Sequence, residues 1–302
     1  MSINNKVKTL LNNHPRLKLL LLPFLKIVRL IRKSKVKPRL EMYEYLKNNL
    51  VQDPVLKVDE FQGCFSLSAE SDLFKRLLLK REYEPELVRT CIKYLDPHRD
   101  VIDVGANIGF FSVMFAKQAE SPSKVISVEP TRNALKRLYA NLIRNNVDEK
   151  VSVFEGVVSN QDGKININVI EGKEEFSSVG VMGHPSIVDE EYVTESVSAI
   201  TLDGLVEKFS ISPGFIKVDV EGNEMNVFLG GQETLARHRP IILSELNDSL
   251  LKENGTSSME VIELIEKFNY LVVDPVDHEL KPGSKDFGDI LCIPVEMGIK
   301  HL

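Results

Sequence analysis

The sequence predicts an α/β fold built on an open, mostly parallel sheet of seven strands, and three observations carry that expectation. From about residue 82 onward, short β-branched runs alternate with longer helical patterns, as βαβ units do. A glycine-containing loop joins the first of these runs to a helix, and an acid closes the following strand. The chain then finishes with a helix and two strands joined by a short Gly/Pro-containing loop with no further helix, which predicts an antiparallel last strand in a terminal hairpin.

The elements follow in order. "EPELVRTCIKYL" reads as a helix, "VIDVG" (101–105) as a strand, "FFSVMFAKQA" as a helix, "KVISVEP" as a strand and "NALKRLYANLIRNN" as a helix. In this last helix Leu135, Leu138, Tyr139 and Leu142 fall at i, i+3, i+4 and i+7, an apolar stripe for the sheet. "VSVFEGVV" is the third strand. Residues 160–200 form an excursion with an Asp162-Gly163 turn, an alternating "KININV" strand and the polar loop "SSVGVMGHPS", a place for substrate-specific elements. The pattern resumes with "TLDGLVEKF" as a helix, "GFIKVDV" as a strand, "EMNVFLGGQETLARH" as one helix and "PIILSEL" as a strand. A helix with Val261, Leu264, Ile265 and Phe268 on one face leads into "YLVVDP" and "DILCIPV".

With 43% hydrophobic and 27% charged residues, the 302-residue chain has ample material for a core. Its charge is uneven. Residues 1–40 hold 11 Lys and Arg and no acid, whereas the whole chain carries −6, so the remainder stands at −17. Within this basic extension Leu17, Leu20, Leu21, Phe24, Val28 and Ile31 share one helical face and Lys18, Lys26, Arg29 and Lys33 the opposite one, with Pro23 a kink. Such a helix suits the surface of an anionic membrane, the body of the protein or a partner. Its longest uncharged run, Leu19–Leu25, is far short of the ~20 residues a span needs, and the basic residues continue past it, unlike a signal peptide. The acidic body argues against nucleic acid. Cys64, Cys91 and Cys292 are widely separated and show no disulfide or zinc pattern, so a reducing cytosol is the simplest compartment, with peripheral contact at the inner membrane face as an elaboration.

The loop "VIDVGANIGFFSV" places Gly105 and Gly109 between strand and helix, where glycine permits a tight turn and close approach of a ligand. Glu129, at the end of the next strand, is where a carboxylate can accept hydrogen bonds from the hydroxyls of a ribose. Asn107 stands where a dinucleotide fingerprint has its middle glycine, and no phosphate-cradling G-x-x-x-x-G-K-[ST] segment occurs. Asp103, just before the first glycine, would repel phosphates and favour a ligand bearing an ammonium or sulfonium group. S-adenosylmethionine carries both.

Together the segments "YEPEL", "VIDVGANIGFFSV", "VEP", "TLDGL", "FIKVDVEGNEMNVFLGG" and "PIILSEL", over about residues 82–295, resemble the FkbM family of S-adenosylmethionine-dependent methyltransferases. The resemblance implies a class I methyltransferase (Rossmann-like) three-layer sandwich, with the last strand antiparallel, and O-methylation of a hydroxyl on a sugar or other secondary metabolite. By position it implies that Asp103, Gly105, Asn107 and Gly109 surround the methionine part of the cofactor, that Glu129 meets the ribose, that Glu84 lies near the same pocket, and that Glu155, Gly156 and Val157 lie beside the adenine. The chain then divides into an extension (1–40), a cap or linker (41–81) and the methyltransferase domain (82–302), within which 160–200 adapts to the acceptor.

In an open α/β sheet, ligands gather at the carboxyl ends of the strands, which places Asp219 and Glu221 beside the reacting methyl group. Displacement at a sulfonium chiefly requires alignment of oxygen, carbon and sulfur, and removal of the hydroxyl proton. Asp219 is the first candidate for the base, Lys217 can orient it, and Glu221 and Glu245 can bind acceptor hydroxyls or share the proton. Two such carboxylates can also hold Mg²⁺, but no histidine or third carboxylate stands close in sequence, so the metal is unassigned. Of the histidines, His184 in the excursion is an alternative base, with a surface role as its ordinary explanation. A lipid-linked sugar is one acceptor in keeping with the basic extension. A nicotinamide oxidoreductase and a non-catalytic binding module that retains the fold are the competing functions.

Overall fold

A computed structural model describes residues 37–170, 178–179, 192–276, 278 and 287–298. The amphipathic face expected over residues 17–33, together with His14, His184 and His301, lies outside these residues. A helix over residues 37–49 comes first. It is followed by a hairpin of β1 (Val55–Val58) and β2 (Gly63–Ser66), then the helices Asp72–Lys80 and Pro85–Tyr94.

The seven expected strands are β3 (Asp100–Val104), β4 (Val125–Glu129), β5 (Val151–Ser159), β9 (Pro213–Val218), β10 (Ile241–Asn247), β11 (Tyr270–Val273) and β12 (Phe287–Pro294). They lie in the order β11-β12-β10-β9-β3-β4-β5. The central pairs β10/β9, β9/β3, β3/β4 and β4/β5 are parallel, and β12 runs antiparallel to both β10 and β11. The expected topology is therefore present, and the excursion lengthens it: β6 (Gly163–Val169), β7 (Ser178–Val179) and β8 (Val193–Thr201) bring the sheet to ten strands among the described residues. β8 joins β5 in parallel and β6 antiparallel. Gly156 allows that junction, since a Cβ there would lie 2.3 Å from the carbonyl oxygen of Ser198.

Helices cover both faces of the sheet, because the central strands are apolar on both. One face carries Val101, Phe215 and Leu243 against Phe111, Phe115 and the stripe Leu135, Leu138 and Leu142. The other carries Ile102, Ile216 and Ile242 against Leu202, Leu205, Phe228, Val261 and Ile265. The segment "EMNVFLGGQETLARH" forms two short helices, Glu224–Leu229 and Gln232–Arg237, rather than one. The chain passes so close to its neighbours between them that a Cβ on Gly230 would sit 2.1 Å from the Ser159 carbonyl oxygen, and one on Gly231 2.5 Å from Leu202.

Residues 41–81 are packed into the first of these cores. Phe61 and Phe65 are fully buried, with ring centroids 5.0 Å and 4.5 Å from Phe110. The open edge of β2 is closed by two side chains, Asn141 of the helix Arg132–Arg144 and Asn145 at its C-cap. Asn141 accepts from Ser66 N–H at 2.8 Å, and Asn145 accepts from Cys64 N–H at 2.9 Å while donating to the Cys64 carbonyl at 2.8 Å. Edge amides that would otherwise recruit another strand are thereby paired. This attachment sets the helix Asp72–Lys80 over the carboxyl ends of the central strands, where it becomes part of the wall of a cavity.

Candidate active site

Strand β9 is buried along its whole length, so its lysine needs partners. Lys217 is aligned across the sheet with Asp103 of β3. Its Nζ lies 4.0 Å from Asp103 Oδ1 and 3.0 Å from Asp219 Oδ2, and 4.8 Å above the Phe111 ring. Burial alone would favour a neutral amine, but the two carboxylates outweigh it and hold the ammonium charged well above its ordinary range. Asp103 accepts a 2.6 Å hydrogen bond from Ser112 Oγ, which in turn accepts from Ser127 Oγ at 2.8 Å. Burial raises the Asp103 carboxyl above the usual range, against the pull of Lys217. Asp103 is fully buried and lies behind the cavity wall, so its charge reaches the cavity through Lys217.

Strand β9 ends at Val218, and Asp219 follows it with its N–H bonded to the Val104 carbonyl at 3.0 Å. This explains Gly105: at φ 81° its missing Cβ would sit 1.8 Å from the carbonyl oxygen of Asp219. The glycine serves the crossing of two strand ends as well as the cavity it lines. Gly109 does not reach the cavity. It turns the chain into the helix Phe110–Gln118 at φ 90°, where a Cβ would meet Leu138 at 2.6 Å.

Asn107 stands at φ 48° and turns its N–H onto Glu129 Oε2 at 2.9 Å. Glu129 Oε1 accepts from both the N–H and the hydroxyl of Thr131, at 2.9 and 2.6 Å. Three donors thus fix a nearly buried carboxylate at the end of β4, leaving acceptor capacity on Oε2. Burial pushes its pKa up to about 7 in spite of these bonds. Beside it, Ile108, Val128, Pro130, Val157 and Val158 make an apolar wall, to which Gly156 contributes backbone. Glu155 is exposed and accepts from Tyr139 Oη at 2.9 Å, so only Gly156 and Val157 of the expected adenine segment line the cavity. Alternation along β5 turns the preceding side chain outward.

Across the sheet, carboxylates dominate. Glu84, in the left-handed region at φ 46°, caps the helix Pro85–Tyr94; burial and the Asp219 charge raise its pKa. Glu221 lines the same space at φ 48°, followed by Gly222 at φ 95°, where a Cβ would be 2.9 Å from both Asn254 and Leu250. Glu245 on β10 lies directly opposite Asp289 on β12. Burial, reinforced by Asp219, Asp289 and Glu221, pushes Glu245 up to about 10, and burial with the Glu84 and Asp219 charges pushes Asp289 to about 7. Glu245 is thereby biased toward its protonated, donating form, whereas Asp219 Oδ2 accepts from Lys217 at 3.0 Å and 31% of the Asp219 side chain is exposed.

All these groups border one cavity of about 500 Å³ at the carboxyl ends of β3, β4, β5, β9 and β10, within the ~300–1,000 Å³ usual for small-molecule sites. It brings together Glu84, Gly105, Asn107, Glu129, Gly156, Val157, Lys217, Asp219, Glu221 and Glu245 of the expected residues. Asp289, Asn223 and Arg76 line it too and were not anticipated. Asp289 was within reach, because inserting the antiparallel last strand "DILCIPV" beside "PIILSEL" sets it opposite Glu245; Arg76 carried no local signal. Among the described residues no group of three or more His, Cys, Asp or Glu side chains is arranged to hold a metal ion, nor is any helix long and apolar enough to cross a membrane.

The chain is 24% identical over 246 residues to the 2-O-methyltransferase NoeI of Sinorhizobium fredii, covering 78% of this chain and 94% of NoeI. It is 28% identical over 194 residues to the AMB antimetabolite synthetase AmbE of Pseudomonas aeruginosa, covering 54% of this chain but 9% of AmbE. Among solved structures, a methyltransferase FkbM from Methylobacillus flagellatus overlaps 86% of this chain and 60% of its own length at 14% identity, with a TM-score of 0.45. An O-methyltransferase from Bacillus cereus in complex with SAH overlaps 84% and 97%, at 14% identity and a TM-score of 0.40. The methyltransferase FkbM domain matches residues 103–272, more than half of the chain, from Asp103 to the middle of β11 and including Glu129, Asp219 and Glu245. The chain belongs to the FkbM methyltransferases.

Proposed function

We propose that this methyltransferase uses S-adenosylmethionine to methylate a hydroxyl of a sugar, a glycolipid or polysaccharide precursor, or a secondary metabolite. The observation that carries the reading is the division of one cavity into two differently built ends. Over β3, β4 and β5 an apolar wall stands beside the fixed Glu129 carboxylate, which suits an adenine and a ribose. Over β9, β10 and β12 the wall is carboxylate-rich and suits cationic groups and hydroxyls. The residues fit this donor: Asn107 replaces the glycine a pyrophosphate would need, and seven acids against two bases on the wall disfavour phosphates. The similarity to NoeI, a 2-O-methyltransferase, supports transfer to oxygen.

When bound, S-adenosylmethionine supplies a methyl group on a sulfonium, whose departure needs no proton. The chain's own task is to hold the acceptor and receive its hydroxyl proton. Asp219 is the base in this reading, since its carboxylate opens to the cavity while Lys217 fixes one oxygen. General-base assistance of this kind contributes roughly 10²- to 10⁴-fold. Glu245, protonated, donates to an acceptor oxygen, and Glu221 and Asp289 offer further acceptors around it. The cavity wall also includes Ile167 of β6, so the excursion contributes to the shape of the site.

Mass spectrometry of cellular glycans and lipids, with and without the protein, tests the function. The reading expects a species heavier by one CH₂ only when the protein is present. Tight binding of NAD with no binding of the methyl donor, or no methylated product from any hydroxyl compound, would contradict it.

A further inference from the structure

We infer that Arg76 is the subsite for the carboxylate of the donor's amino-acid end, an assignment that rests on the S-adenosylmethionine reading above. Among the described residues, seven carboxylates and two cations border the cavity. Of the cations, Lys217 is taken: Asp219 holds it at 3.0 Å and Asp103 lies behind it. Arg76, half-buried on the helix Asp72–Lys80, forms no ion pair among the described residues. Its guanidinium carbon lies 4.8 Å from the centroid of the Tyr83 ring.

A guanidinium surrounded by acids yet paired with none of them is free to meet a ligand anion. Stacking on an aromatic face holds the planar group while leaving its edge N–H donors available for a carboxylate. Tyr83 is itself fixed by Phe61 at 6.2 Å and Phe110 at 5.6 Å between centroids, so the platform is part of the core. Glu84 follows Tyr83 directly, borders the same cavity and is sensitive to the charge of Arg76. Arg76 over the Tyr83 ring and Glu84 next to it in the chain thus bring a cation and a carboxyl to one part of the cavity wall, the arrangement that an α-amino acid group, with its adjacent carboxylate and ammonium, would match. The ammonium of such a ligand would find acids on several sides; its carboxylate would find one uncommitted cation.

Isothermal titration calorimetry on the full chain tests this with two ligands, S-adenosylmethionine and its decarboxylated analogue, which keeps the sulfonium, ribose and adenine. The native protein is expected to bind S-adenosylmethionine at least about tenfold more tightly than the analogue, as a charge-assisted contact requires. Arg76→Gln should lose at least about tenfold for S-adenosylmethionine and little for the analogue, and Arg76→Lys should fall between. Equal losses for both ligands in Arg76→Gln would mark Arg76 as a support for Tyr83 and overturn the assignment, as would no loss for either. Should Arg76→Gln fail to fold, the ligand preference of the native protein and its reduction in Arg76→Lys decide the matter. Native protein that binds neither ligand would sink the S-adenosylmethionine reading and this assignment with it; binding of both with equal affinity would sink only the assignment.

Discussion

The two ends of the cavity solve the same problem, polar groups in a buried place, in opposite ways. Over β3 and β4 the chain supplies partners to its own acids: Glu129 has three donors from Asn107 and Thr131, and Asp103 has Ser112 on Oδ2, with Lys217 4.0 Å from an Oδ1 that accepts no hydrogen bond. Over β9, β10 and β12 acids face one another, Glu245 opposite Asp289 and both near Asp219, with Lys217 committed to Asp219. The first end is a preformed frame that a ligand enters. The second is left short of donors and cations, which protons, hydroxyls or a cationic ligand make good. In the proposed reading, rigidity belongs to the end that would hold the constant donor, and adaptable protonation to the end that would hold the acceptor.

If the frame depends on internal pairing, breaking it should cost stability most. Lys217→Met leaves Asp103 buried and uncompensated and is expected to lower unfolding stability by ~3–5 kcal/mol, measured by urea denaturation at neutral pH. A loss below ~1 kcal/mol would show that Asp103 does not rely on Lys217.

A smaller effect should distinguish the acidic end. Burial raises Asp289 to about 7 and Glu245 to about 10 there, as it raises Glu129 to about 7 at the other end. A carboxyl whose folded pKa exceeds its unfolded value of ~4 binds more protons folded than unfolded between the two, so its contribution to stability is complete at low pH and is lost as pH rises through the folded pKa. For the two groups near 7 that loss runs from about pH 4 to 7, and for Glu245 it continues to about pH 10. Glu245→Gln, which removes the titration and keeps the shape, should flatten the loss throughout about pH 5–10, and above about pH 8, where the groups near 7 have finished titrating, it should remove most of what remains. Thermal melts across pH 5–10 read this directly, and parallel profiles for the two proteins would contradict the assignment of Glu245 as a buried neutral acid.

Local features of the chain were legible without coordinates. Period-2 and period-3.6 patterns placed the core strands and helices, and the strand-end position of Glu129 and Asp219 placed them on the cavity. Features that arise from distant segments meeting were not. Asp103 looked like a ligand-facing acid because its loop is glycine-rich, but the alignment of β3 with β9 points it at Lys217 beneath the surface. Gly230 and Gly231 sat inside a helical period, and only the approach of Ser159 and Leu202 explains why the helix breaks there. Strand β8 alternates without a strong apolar face because it lies in the outer extension of the sheet, beside β5 and β6. Arg76 lies in a segment with no motif, and it reaches the cavity because a hairpin stitched to Asn141 and Asn145 sets its helix there.

The division of labour between frame and chemistry is tested most directly by Asp219→Asn, with donor affinity measured by calorimetry and turnover by methyl transfer in the same preparation. The account predicts S-adenosylmethionine affinity within about threefold of the native protein and kcat lower by roughly 10²- to 10⁴-fold. Native turnover in the variant, or a loss explained wholly by weaker donor binding, would contradict it.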